Sequence, residues 1–251
     1  MTFRPLPLPD DVTPRAPQGT RNPLASIARL GADLMGVAAP ATCAGCGAPG
    51  RAVCAECEQV LVGIPREHRP SPAPTPWVPL YVATSYAGET RSIITAWKER
   101  GRRDVARHLS LALAVSVAAA IRAHRRAGEP TAVVPIPPSR AAMRRRGEDA
   151  WGRVVRLAVD RLRLQGAQVY LDRPLRLARQ PRDQSGLDAS ARRANLAGAL
   201  ACSRPPSGPV VLVDDIVTTG ATLAAAVRAL GSCGARDVWA AAIAATSRER
   251  R

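Results

Sequence analysis

Apolar residues arrive along this chain in two rhythms. Short unbroken runs, Val210-Val211-Leu212-Val213 above all, show no polar alternation and favour β-branched residues. Such runs predict strands buried on both faces of a parallel sheet. Further runs at 80–86, 131–136, 170–177 and 237–244 read as strands as well. Between them the spacing is helical. Ile93, Ile94 and Trp97 share a face within 89–98, an Ala/Leu/Val helix follows over 104–124 with Asp104 placed to cap it, 148–164 is amphipathic, and 223–230 is Ala-rich. Strands and helices alternate with short links. The predicted class is therefore α/β, a doubly wound parallel sheet whose ligand crevice lies at the C-terminal ends of the strands.

Punctuation divides the remainder. Residues 1–22 are rich in Pro and Arg and lack periodicity, which predicts a disordered tail. An amphipathic helix over 24–38 and a cysteine-bearing module complete a unit at 23–62. Pro65, Pro70, Pro72, Pro74, Pro76 and Pro79 are too frequent for a helix or a central strand, so 63–79 reads as a linker. The main domain then runs over 80–247. Within it 139–147 is a basic loop, 179–186 a polar loop and 187–196 a short helix. His108 and His124 have no partner motif and read as surface or internally satisfied histidines. Cys202 and Cys233 stand alone and read as small core or surface residues.

Two Cys-x-x-Cys pairs, Cys43 with Cys46 and Cys54 with Cys57, lie eight residues apart. They suit one tetrahedral Zn²⁺ in a closed, structural site, a group worth on the order of 10 kcal/mol to so small a module. A redox pair or two disulfides would use the same residues, but paired knuckles in a chain of this type favour zinc. The net charge is +16 and the isoelectric point about 11.2, a field that draws polyanions and phosphorylated sugars alike. Aromatic residues make up only 3 %, with a single Phe, which argues against a platform that stacks successive bases. No apolar run approaches the ~20 residues of a membrane span. Arg29, Gly31 and Asp33 interrupt the apolar stretch at 24–39, so no signal peptide is expected and the cytoplasm is the expected compartment.

The run at 210–213 ends in Asp214 and Asp215, followed by Thr218-Thr219-Gly220-Ala221-Thr222 and the Ala-rich helix. Unpaired N–H groups at a helix N-terminus, with the positive end of its dipole, form a ready phosphate site. Gly220 allows close approach or positive φ, and the threonine hydroxyls add donors. Ionised Asp214 and Asp215 accept hydrogen bonds only, so they suit sugar hydroxyls or hydrated Mg²⁺ rather than a second phosphate. The fitting occupant is a sugar phosphate. An ordinary strand-to-helix connection, with either Asp as a cap, is the plainer alternative.

This segment resembles the 5-phosphoribosyl 1-pyrophosphate (PRPP) loop of type I phosphoribosyltransferases, a hydrophobic strand, two acidic residues and T-T-G-x-T. A longer resemblance, from about residue 24 to the last strand, is to the ComF family of competence proteins, which carry an N-terminal zinc-ribbon module. It rests on the knuckles, Tyr86-x-Gly88-x-x-Arg91 with Lys98 and Gly101, Pro135-Ile136-Pro137, an Arg-rich loop ending Arg146-Gly147, Gln184-x-x-Leu187 with Arg192 and Asn195, and the PRPP loop. One departure is Glu148-Asp149-Ala150, where the family's R-G-F-N-Q pattern has its Phe, Asn and Gln. The resemblance implies Mg²⁺–PRPP as ligand, with Thr218 to Thr222 on the 5-phosphate and Asp214 and Asp215 on the ribose hydroxyls. It implies the loop at Pro135, Ile136 and Pro137 near the pyrophosphate, and Arg140, Arg144, Arg145 and Arg146 on the departing group or simply on a solvated face. Lys98 and Arg91 belong to that pocket or merely to their helix. Two functions are compatible with this: phosphoribosyl transfer to an unspecified acceptor, or a PRPP-responsive factor that binds single-stranded DNA or helicase-type competence partners during DNA uptake. A homo-oligomer is compatible with either.

Overall fold

The computed structural model describes residues 42–124, 129–139, 143, 149–178 and 198–246, all within one compact unit. The tail at 1–22, the helix at 24–38, the arginines at 140 and 144–146, and the segments at 179–196 lie outside these residues. Among the described residues the elements are α1 (Ala55–Val62), β1 (Arg66–Glu67), β2 (Leu80–Ser85), α2 (Gly88–Glu99), a 3₁₀ turn (Arg103–Val105) leading into α3 (Ala106–His124), β3 (Thr131–Pro135), α4 (Ala150–Leu164), β4 (Val169–Leu171), β5 (Leu175–Leu177), β6 (Leu200–Cys202), β7 (Val210–Val217), α5 (Ala221–Ser232) and β8 (Val238–Ala245).

Six strands form one sheet in the order β1-β2-β8-β7-β3-β4, parallel throughout except for the antiparallel two-residue edge strand β1. The sheet is thus mixed, and mostly parallel. Its strands send alternate residues to two separate cores. Val133, Val211, Val213, Ala241 and Ile243 face α2, α3 and α4, while Ala132, Val134, Val210, Leu212, Ala240 and Ala242 face α5. Both faces are dry, so an uninterrupted apolar run is what such a strand requires. The Ala-rich β8 has small side chains that let helices approach the sheet closely. α3 is long and apolar, and 67 % of its most apolar stretch is buried inside the protein, as befits a core helix.

The helix after β3 covers one face and the helix after β7 the other. Adjacent parallel strands whose connections leave in opposite directions open a crevice at their C-terminal ends. The loops after β3 and β7 are therefore placed together, and the register of Pro135 beside Val213 fixes their spacing.

The cysteine-bearing segment joins the same fold. Leu61 and Cys57 on α1 are buried in the first core, and His108 of α3 holds Glu58 of α1 through Nδ1 at 2.6 Å while its Nε2 accepts from Arg107 at 3.0 Å. His108 is internally satisfied. Three local expectations are corrected. Asp104 does not cap its helix but pairs with Arg102 at 2.7 Å. The strand expected at 170–177 is two strands in two sheets, because Asp172-Arg173-Pro174 breaks it and the buried Asp172 pairs with Arg204. The 148–164 helix starts at Ala150, capped by Asp149, whose Oδ1 accepts the Gly152 amide at 2.8 Å.

Candidate functional site

β7 delivers Asp214 and Asp215 at its C-terminal end, and the chain then turns through Thr218 and Thr219 to Gly220. Gly220 is the N-cap of α5 in the left-handed conformation, φ 74°, ψ 5°, where a Cβ would be strained. Gly220 has no side chain to cap α5 and the first turn carries no acidic residue; the Ala221 amide makes one long hydrogen bond to Thr219 Oγ1 at 3.4 Å, and the positive end of the helix is left without a counter-charge. Thr218 is exposed, and Thr219 and Thr222 are half-buried. The loop is open on its hydroxyl-bearing side.

The acidic pair is electrostatically divided. The Asp215 carboxylate takes a 2.7 Å ion pair from Lys98 Nζ, in the last turn of α2, and the Asp215 amide donates to Asp214 Oδ1 at 2.9 Å. Burial, and then the neighbouring charge of Asp215, push the Asp214 carboxyl up to about 7, with Lys98 and the Asp215 amide opposing. Asp214 is therefore poised between acid and base near neutral pH. Its raised value also fixes the sign of two pH effects. Its contribution to stability is full below the ordinary carboxylate range and is lost as pH rises through about 7. Acceptance of a ligand's hydroxyls needs the carboxylate, so affinity for a diol-bearing ligand should rise over the same interval. Titrations between about pH 6 and about pH 8 are expected to show tightening in the wild type and a flat profile in Asp214→Asn.

The loop after β3 stands beside this pair. Ile136 N–H donates to Val213 O at 3.0 Å, and Pro135, Pro137 and Pro138 have no N–H. Residues 135–138 thus offer no free amide to an anion; they supply an apolar wall. Together with Met143, Trp151, Gly152, Leu175, Leu177 and the Asp149–Arg173 pair, they line a cavity of about 520 Å³. The pair is tight at 2.6 Å, and although burial raises the Asp149 carboxyl, Arg173, the Gly152 amide and Arg156 outweigh that and hold it below the ordinary range. Asp149 is thus both helix cap and cavity wall. Arg91 does not reach the acidic pair; it lines a separate groove on α2 with Ser92, Thr95, Glu99 and Arg100. Arg146 lies outside the described residues.

The four thiols of Cys43, Cys46, Cys54 and Cys57 lie within 4.8 Å of one another, with Cys46 Sγ and Cys54 Sγ 3.7 Å apart. A tetrahedron with Zn–S bonds of about 2.3 Å has edges of about 3.8 Å, so the donor set is compatible with a structural zinc. Cys54 N–H donates to Cys43 Sγ at 3.3 Å. Burial resists ionisation of Cys43, but the amides of Cys54, Cys46 and Gly45 outweigh it and bring that thiol down to about 6. Cys57, buried among the other three thiols, is pushed up. A Cβ on Gly45 would stand 2.7 Å from Cys57 Sγ, so only glycine fits the first knuckle.

A strand, an acidic pair and a helix N-terminus thus meet at the C-terminal end of the parallel strands, an arrangement whose chemistry suits a sugar phosphate. The family model of the phosphoribosyl transferase domain matches residues 163–251. The phosphoribosyltransferase match covers about a third of the chain, from the end of α4 through β7, its loop, α5 and β8. It includes every residue of the acidic pair and loop, and leaves the Cys₄ cluster, Lys98 and the β3 loop outside it. No curated protein matches the chain.

Sequence reading missed two features of this region. Trp77, Pro70 and Pro74, assigned to a linker, pack on Gly220. Arg173, with no motif around it, pairs with Asp149 in the cavity wall.

Proposed function

We propose that this chain binds Mg²⁺–PRPP and transfers its phosphoribosyl group. The observation that carries the reading is the start of α5 at a left-handed Gly220, with no acidic residue in its first turn, reached from a strand end that carries two carboxylates of which one is neutralised by Lys98. Thr218, Thr219, Gly220, Ala221 and Thr222 hold the 5-phosphate, and Asp214 and Asp215 accept the ribose hydroxyls. Mg²⁺, arriving with the pyrophosphate, would supply charge neutralisation for that group. In the reaction the bond from C1 to the pyrophosphate oxygen breaks and a bond to the acceptor forms with inversion, through an oxocarbenium-like state. The carboxylates beside the ribose stabilise positive charge as it develops. Arg146 and its neighbours in the basic loop are assigned to the departing pyrophosphate.

The acceptor is assigned to the 520 Å³ cavity beside Pro135, Ile136 and Pro137. Its walls are apolar apart from one neutralised ion pair, which suits an uncharged organic molecule and not a polyanion. Four structural thiolates hold zinc, residues 23–62 form the zinc-bearing module, 63–79 connect it, and 80–247 form the phosphoribosyltransferase domain. The likeness to the ComF competence proteins supports a cytoplasmic setting.

A second reading is favoured by the net charge of +16. In it PRPP is a regulatory ligand and arginine surfaces contact single-stranded DNA phosphates or competence partners. Pyrophosphate release on incubating Mg²⁺–PRPP with a panel of purines, pyrimidines and ammonia separates the two. Turnover with one acceptor supports transfer. Absence of turnover, with DNA binding that falls steeply between low and moderate salt, would overturn it in favour of the second reading.

A further inference from the structure

The proline spacing of residues 63–79 predicts a linker, yet much of this segment is packed. His68 N–H donates to Leu80 O at 2.8 Å, Arg228 Nη1 of α5 donates to Thr75 O at 2.7 Å, and Trp77 and Val78 pack against the second core. Pro74 is buried and Trp77 half-buried. At the far end of α5 from Cys233 the segment meets the loop directly. A Cβ on Gly220 would lie 2.6 Å from Trp77 Cζ3 and 3.3 Å from the Cγ atoms of Pro70 and Pro74. Gly220 is thus required twice, once by its left-handed backbone and once by the indole against it. Thr218, Thr219 and Thr222 stay accessible, so the contact backs the loop without closing it.

We infer that Trp77 is a positioning residue for the phosphate loop, clamping Gly220 so that the first amides of α5 converge before the ligand arrives. The inference rests on the phosphate reading of that loop. Thr218 and Thr219 lead into Gly220 with side chains that are exposed and half-buried, and Gly220 has none, so this turn has little side-chain packing of its own. Freezing such residues on binding costs backbone entropy. A rigid indole and two prolines packed against the glycine remove part of that cost in advance, which is preorganisation. The strap begins at β1, immediately after the helix that carries Cys57, so the support runs from the metal-binding segment to the loop.

The test uses the full chain and Mg²⁺–PRPP, with binding followed by calorimetry and by intrinsic fluorescence. Trp77→Ala is expected to weaken binding about tenfold with the melting transition still cooperative, and Trp77→Phe to restore affinity to within about twofold. The wild-type emission should change on binding, and that change should disappear in Trp77→Phe, although Trp97, Trp151 and Trp239 remain. Wild-type affinity in a folded Trp77→Ala protein would overturn the inference while leaving the phosphate reading intact, and so would a full ligand-induced emission change in Trp77→Phe. A wild-type chain that does not bind Mg²⁺–PRPP overturns both.

Discussion

Asp214→Asn combined with Asp215→Asn is expected to weaken Mg²⁺–PRPP binding by about a hundredfold or more, in a chain that remains folded. The magnitude follows from the loss of two charged acceptors, each hydrogen bond to a charged group contributing about 1.5–3 kcal/mol. Folding should survive because Asp214 is a carboxylate under strain of its environment: burial and Asp215 already hold it up to about 7. A neutral isostere removes that repulsion. At alkaline pH the double variant should therefore melt no lower than the wild type, even though Lys98 loses its partner at Asp215. The 5-phosphate contacts of the loop remain, so residual binding should resemble that of a simple phosphate ester. Calorimetry at about pH 8 reads the affinity and a thermal melt reads the fold. Equal affinity in the folded double variant would remove the ribose-hydroxyl role of the pair.

The second large effect concerns the thiol cluster. Cys57→Ser is expected to abolish the binding of one zinc per chain and to lower the thermal midpoint by about 10 °C, since a structural metal contributes several kcal/mol to the fold it closes. Cys57 is 3 % exposed and opens α1, whose Leu61 and Glu58 connect to the first core and to His108. The damage should spread along those contacts. Hydrogen exchange should rise first over residues 42–62 and next in α3 around His108, with the sheet protected longest. Exchange over 42–62 that is indifferent to chelation would show that the thiols pack without a metal.

Local signals made the centre of this fold legible. Val210 to Val213 buries both faces and leads straight into the acidic pair, the glycine and an Ala-rich helix, so strand, turn and helix are all written within one short stretch. The cysteine cluster was legible for the same reason, each knuckle being a local device. What the sequence hid is non-local. Lys98 lies 117 residues from Asp215, and only likeness to a family hinted at their meeting. Prolines at alternate positions forbid helix and central strand, and that prohibition says nothing of packing, so the Trp77 contact with Gly220 went unread. β6 is three residues long, too short for any periodicity to register. Cys202 and Cys233 look unrelated in sequence, yet β6 packs on α5, and burial, then the neighbouring Cys233, push the Cys202 thiol up to about 11. Asp149 is likewise a residue with no motif to announce it, and it caps a helix and forms an ion pair.

The loop at 214–222 as a cradle for PRPP is tested most directly by titrating Mg²⁺–PRPP into the intact, zinc-loaded wild-type chain at about pH 8, where Asp214 is ionised. The expected result is saturable heat with one site per chain, competed by ribose 5-phosphate. A folded chain that gives no saturable heat under those conditions would contradict the account.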